Sequence, residues 1–92
     1  MKIHVRFDSQ VRRLAACKGV SLDVDDAATL AQIVQRVAFE GNEPLRAALL
    51  DEQQGLRSSI LVFLNNELVT KDQPCVLHEG AELTLTTLIS GG

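Results

Sequence analysis

The chain contains no tryptophan and no tyrosine, and its three aromatic residues are Phe7, Phe39 and Phe63. That leaves no set of stacking platforms for single-stranded nucleic acid. Nine Lys and Arg against twelve Asp and Glu give a net charge of −3, which further disfavours a general nucleic-acid binder. Cysteine and histidine are equally scarce: Cys17 and Cys75, His4 and His78, each far from its fellow in sequence. No C-x-x-C or other metal spacing exists, so a zinc or iron–sulfur site lacks ligands. The two thiols are expected to stay reduced and to behave as inert, buried or half-buried small hydrophobes, and nothing argues for a Cys17–Cys75 disulfide. There is no Gly-rich phosphate loop and no nucleophile elbow. No apolar run approaches the length of a transmembrane helix, and Met1 to Arg13 holds too many charges for the core of a secretion signal. Ninety-two residues make one small domain. These absences point to a soluble, cytoplasmic chain that is not an enzyme, with no bound cofactor, no metal, no membrane and no nucleic acid.

What is present is periodic. From Lys2 to Phe7 the residues alternate, with Ile3, Val5 and Phe7 on one face of a half-buried strand and Lys2, His4 and Arg6 on the other. Val11, Leu14 and Ala15 fall at helical spacing and predict a short turn of helix ending near Gly19. Val20, Leu22 and Val24 alternate again. At Thr29 the run T-L-A-Q matches a capping box and opens the main helix, whose apolar stripe is Leu30, Ile33, Val34 and Val37, with Gly41 as its stop. Pro44 suits the first position of a shorter helix carrying Leu45, Ala48 and Leu49 and ending by Gly55. Ile60 to Leu64 is an unbroken apolar run closed by Asn65-Asn66, a pair that tolerates left-handed backbone. A short strand near Leu68-Val69 and a final one over Glu82 to Ile89 complete the order. In that last strand Leu83 and Leu85 share one face, Thr84 and Thr86 the other. The order predicts an α+β fold, a mixed sheet with one main helix packed on one face.

A single helix layer cannot bury both sides of the 60–64 run. Parity places Ile60, Val62 and Leu64 beneath the helix and leaves Leu61 and Phe63 on the open face. Such a pair on a small domain marks a partner surface, unless a loop or the short second helix folds over it.

The sequence ends Ser90-Gly91-Gly92 directly after the last predicted strand. Together with the element order, that end resembles the ThiS/MoaD family of ubiquitin-like β-grasp sulfur carriers. The resemblance spans the whole chain. It rests most on Lys2–Phe7, the helix start at Thr29, I-L-V-F-L-N-N-E at 60–67 and H-E-G-A-E-L-T-L-T-T-L-I-S-G-G at 78–92. It implies a β-grasp domain over 1–87 and a flexible C-terminal tail over 88–92.

It also implies a chemistry. An E1-like adenylating enzyme would use ATP to adenylate the Gly92 carboxylate, and a sulfur donor would displace AMP to leave a thiocarboxylate. A sulfur-accepting synthase would then receive the sulfur. The residue types suit this. A free α-carboxylate, with a pKa near ~3.5, is ionised and nucleophilic toward phosphorus. Gly91, lacking Cβ, passes through a narrow channel and accepts φ of either sign. Leu88, Ile89 and Ser90 would thread into the partner with it, the five residues spanning roughly 17 Å when extended at about 3.4 Å each. The segment L-L-D-E-Q-Q-G-L-R-S-S-I-L-V-F-L-N-N-E at 49–67 resembles the molybdopterin and cysteine-biosynthesis carriers more than the shorter thiamine ones. Two other readings of the same sequence stay open: a protein modifier conjugated through Gly92, and a non-covalent interaction domain using Leu61 and Phe63.

The remaining polar residues carry less. His4 and His78 have no neighbour to make either a base. Lys2, Lys18 and Lys71 read as solvated surface, and Asp25-Asp26 as negative charge approaching the main helix N-terminus. Residues 1–22 hold five basic side chains against one acidic, and 23–92 hold four against eleven. That asymmetry predicts an acidic patch in the C-terminal half that steers docking on a basic activating enzyme.

Overall fold

The computed structural model describes residues 1–70 and 76–87. The elements run β1 (Lys2–Phe7), α1 (Ser9–Ala15), β2 (Gly19–Asp23), α2 (Leu30–Glu40), α3 (Glu43–Leu49), β3 (Ile60–Leu64), β4 (Glu67–Val69) and β5 (Glu82–Thr87). The strands form one sheet in the order β2-β1-β5-β3-β4. β1 pairs antiparallel with β2 and parallel with β5, while β3 pairs antiparallel with both β5 and β4. The sheet is mixed and the predicted α+β class holds.

The alternation predicted in β1 is realised in full, with Ile3, Val5 and Phe7 buried and Lys2, His4 and Arg6 exposed. Register carries that parity across the sheet. Val5 faces Leu83 and Phe7 faces Leu85, and on the other side of β5 Leu85 faces Val62 and Leu83 faces Leu64. Paired residues share a face, so this layer is apolar from strand to strand. α2 closes over it through Leu30, Ile33, Val34, Val37 and Ala38, and α3 adds Leu45 and Leu49. At about 25 cal/mol per Å² of apolar surface removed from water, this single layer dominates folding.

The helix boundaries follow local chemistry. The capping box forms as read: Thr29 Oγ1 accepts from Gln32 N at 3.2 Å and Gln32 Oε1 accepts from Thr29 N at 2.9 Å. α2 ends at Gly41, whose backbone is extended rather than left-handed. A Cβ there would lie 2.7 Å from Leu45 Cδ2, so any larger residue would oblige that side chain to shift. α3 starts one residue earlier than the proline suggested, because Asn42 is its N-cap and accepts from Leu45 N at 2.9 Å. Pro44 thus takes the second helical position. α3 also ends well before Gly55, at Leu49, where Leu50 turns extended and bridges to Leu56. The 51–55 turn is held instead by Asp51 Oδ1, which accepts from Gln53 N and Gly55 N.

α1 is stopped by Ala16 in the left-handed region (φ 60), not by Gly19. Gly19 serves the sheet: a Cβ there would sit 2.3 Å from Val5 O, so only glycine lets β2 approach β1. Asp25 and Asp26 lie in the loop that approaches α2, where Asp25 Oδ1 accepts from Ala27 N at 2.8 Å, and the first turn of α2 itself carries no acid. Among the described residues, no helix is long and apolar enough to cross a membrane.

Candidate functional site

The Asn65-Asn66 turn decides the open face. Both residues have positive φ (49 and 73), the backbone of a two-residue hairpin whose twist matches its strands. That turn fixes Leu64 opposite Glu67, Phe63 opposite Leu68 and Val62 opposite Val69. Asn65 also anchors β5, donating from its backbone N to Glu82 O and accepting from Glu82 N through Oδ1 at 3.0 Å.

On the face away from the helices, register aligns one row across the whole sheet: Leu68, Phe63, Thr84, Arg6 and Gly19. The next pairs are Leu61 with Thr86 toward one end, and Glu82, His4 and Ser21 toward the other. Leu61 and Phe63 are half-buried by these neighbours, with no element among the described residues packed over them, and Leu68 is 55% exposed. Thr84, flanked on both sides, is only 9% exposed. The open face therefore has an apolar end on β3–β4 and a polar end on β1–β2. At the polar end, Arg6 Nε pairs with Asp8 Oδ1 at 3.2 Å and His4 Nδ1 meets Ser21 Oγ at 2.8 Å.

The predicted surface residues Leu61 and Phe63 are thus brought together, and Leu68 joins them. Sequence reading placed a strand at Leu68 without assigning it to this face. The signal was present, because a two-residue turn at 65–66 counts Phe63 onto Leu68. The apolar end also lies beside the last residues of β5: Leu61 faces Thr86 and Ile60 faces Thr87. Leu88, Ile89, Ser90, Gly91 and Gly92, the other predicted site residues, lie outside the described residues, as do Lys71 and Cys75.

No family model and no curated protein sequence matches the chain significantly. Solved structures do. SAMP1 from Haloferax volcanii matches at 22% identity with a TM-score of 0.83, covering 100% of both chains. Urm1 from Trypanosoma brucei matches at 24% identity and TM-score 0.76, over 99% of this chain and 95% of that one. A putative molybdopterin converting factor subunit 1 from Pyrococcus furiosus matches at 14% identity and TM-score 0.73, over 97% and 99%. The fold is a ubiquitin-like β-grasp.

Within this β-grasp the remaining predicted residues take unremarkable places, with one correction. Cys17 is a free, exposed thiol rather than a half-buried one, because it follows the left-handed Ala16 and precedes β2 on the outer side of the loop. His78 is exposed, as are Lys2 and Lys18. Among the described residues no three His, Cys, Asp or Glu side chains gather as a metal site would require. Four described acidic residues of the 23–92 part stand apart from one another. Asp23 and Glu67 stand on β2 and β4, the opposite edges of the β-grasp sheet, and Glu40 and Glu43 are taken up by Arg36 and Arg46.

Proposed function

We propose that this chain is a sulfur carrier whose working group is the Gly92 carboxylate. One observation supports this most. β5 is the middle strand of the sheet, clamped by β1 on one side and β3 on the other, and it ends beside the exposed apolar Leu61–Phe63–Leu68 surface. A partner that grips that surface stands where residues 88–92 begin. The likeness to a molybdopterin converting factor subunit favours the same reading.

In this reading an E1-like enzyme holds ATP and the chain itself holds no cofactor. The carboxylate oxygen of Gly92 attacks the α-phosphate, pyrophosphate leaves, and an acyl adenylate forms. A sulfur nucleophile adds at the carbonyl carbon and AMP departs, leaving the thiocarboxylate for an acceptor synthase in cofactor or amino-acid biosynthesis, of molybdopterin or cysteine type. Gly91, Ser90, Ile89 and Leu88 thread into the partner's channel. A protein modifier joined to target lysines through the same carboxylate is the second reading, favoured by the likeness to a small archaeal modifier protein.

Incubation with ATP, the activating enzyme of the same source and a sulfide donor, followed by mass spectrometry of the intact chain, tests the first reading. Oxygen-to-sulfur exchange at Gly92, lost when Gly91 and Gly92 are deleted, is the expected result. Isopeptide-linked products without thiocarboxylate would favour the second.

A further inference from the structure

Five basic residues precede Asp23, and three of them, Arg12, Arg13 and Lys18, line one open hollow of about 560 Å³ together with Ser9, Ala16 and Cys17. The hollow owes its shape to the left-handed Ala16, which ends α1 abruptly and turns the chain back toward β2. These cations differ from the other arginines. Arg6 pairs with Asp8, Arg36 with Glu40 and Arg46 with Glu43, while Arg57 Nε donates to Ala47 O. Arg12, Arg13 and Lys18 have no carboxylate within 4.0 Å among the described residues, and Asp8, the nearest acid in sequence, is held by Arg6. In a protein of net charge −3, three unneutralised cations on one hollow set up a local field opposite to that of the whole molecule.

The hollow also has a defined place. Asp8 N donates to Leu85 O at 3.0 Å, and Thr86 Oγ1 donates to Ser9 Oγ at 3.2 Å. Its Ser9 wall is therefore bonded to the end of β5, from which residues 88–92 continue. A partner holding that segment has the hollow within reach as well as the apolar patch.

We infer that the Arg12–Arg13–Lys18 hollow is a second docking point, and that it takes an acidic polypeptide segment of the activating partner while residues 88–92 occupy that partner's channel. This rests on the sulfur-carrier reading for the partner's identity, and on charge complementarity for the occupant. Aromatic side chains that stack on bases are missing from the hollow, so the acidic surface of a protein fits it better than a nucleic acid. Rim charges of this kind act mainly on encounter and on salt dependence.

Two measurements on the full chain test it. In ¹⁵N–¹H spectra, an octaglutamate peptide should shift amides confined to residues 9–18, with affinity falling about tenfold from low to high salt. An Arg12→Gln/Arg13→Gln/Lys18→Gln variant should give the same dispersed spectrum and no shifts. In ATP–pyrophosphate exchange with the activating enzyme, that variant should raise KM for the carrier about tenfold and leave kcat unchanged. Absence of peptide shifts at 9–18 overturns the inference, as does tighter binding of an oligouridylate probe, which would assign the hollow to nucleic acid. Exchange with wild type but an unchanged KM for the variant overturns the docking point and leaves the carrier reading standing. No exchange with wild type overturns the carrier reading and the docking point with it.

Discussion

The two faces of the sheet are built from the same strands and both carry large apolar residues, yet those residues end in opposite states. Beneath the helices, Ile3, Leu83 and Leu85 are completely buried and Val5, Phe7 and Val62 are nearly so. On the reverse, Leu61 and Phe63, each next in sequence to a buried residue of β3, stay half-buried and Leu68 lies open. Hydrophobicity does not separate the two sets. What separates them is that α2 and α3 cover one face and none of the described elements covers the other. Apolar side chains on the first face stabilise the fold, whereas those on the second are free to meet another molecule.

The largest expected effect breaks the covered face. Leu83→Ala leaves a cavity at the sheet centre and should cost about 3 kcal/mol in urea unfolding. Gly19→Val tests how the sheet is closed at its β2 edge. Its Cβ would collide with Val5 O, and the variant should lose about 2 kcal/mol, read as a lower urea midpoint with unchanged slope. Phe63→Ala is the decisive contrast with Leu83→Ala. It should cost only about 1 kcal/mol of stability, since the side chain is already half in water, but raise KM for the activating enzyme by about tenfold or more. Equal stability losses for Phe63→Ala and Leu83→Ala would erase the distinction between the faces. Thr29→Ala removes the cap of the covering helix and should cost about 1 kcal/mol by thermal unfolding, with no change in KM.

The smallest effect concerns α3. Hydrogen bonding from Arg46 holds the Glu43 carboxyl below the ordinary glutamate range, opposed by desolvation and then aided by the charge of Arg46. A lowered folded-state pKa contributes stability above the unfolded pKa, lost as pH falls through the folded one. Glu43 is solvent-exposed, so Glu43→Gln should leave the urea midpoint at neutral pH nearly unchanged. A carboxyl NMR titration of Glu43 should still show its midpoint shifted to lower pH, and Arg46→Gln should remove that shift.

Much of this was legible in the residues, for reasons that differ from element to element. β1 was readable because alternation over Lys2–Phe7 has a period of two and nothing competes with it. α2 was readable because Thr29 and Gln32 satisfy backbone donors that every helix start leaves open. The Asn65-Asn66 turn was readable because few residue types accept φ > 0. Legibility failed where a partner distant in sequence decides the outcome. Gly19 looked like a helix stop and is a contact glycine against Val5 O. Cys17 looked half-buried and is exposed, because exposure depends on what packs above a loop.

The candidate site divides in the same way. Leu61 and Phe63 followed from strand parity and a single covering layer, both local properties of the chain. Leu68 became part of that surface through hairpin register, and the row from Leu68 to Arg6 exists only because β1, β5 and β3 pair across the chain. Asp23 and Glu67 are carried to opposite sheet edges, while the basic residues of α1 and its following turn stay together.

By itself, then, the sequence determined the local conformations, the strand parities and the resemblance to a β-grasp carrier, because each depends on neighbours within a few residues. The tertiary structure alone decided which residues form the row across the open face and which surface adjoins the end of β5. Those depend on contacts between residues as far apart as Ser9 and Thr86, whose pairing is set by the closing of the sheet.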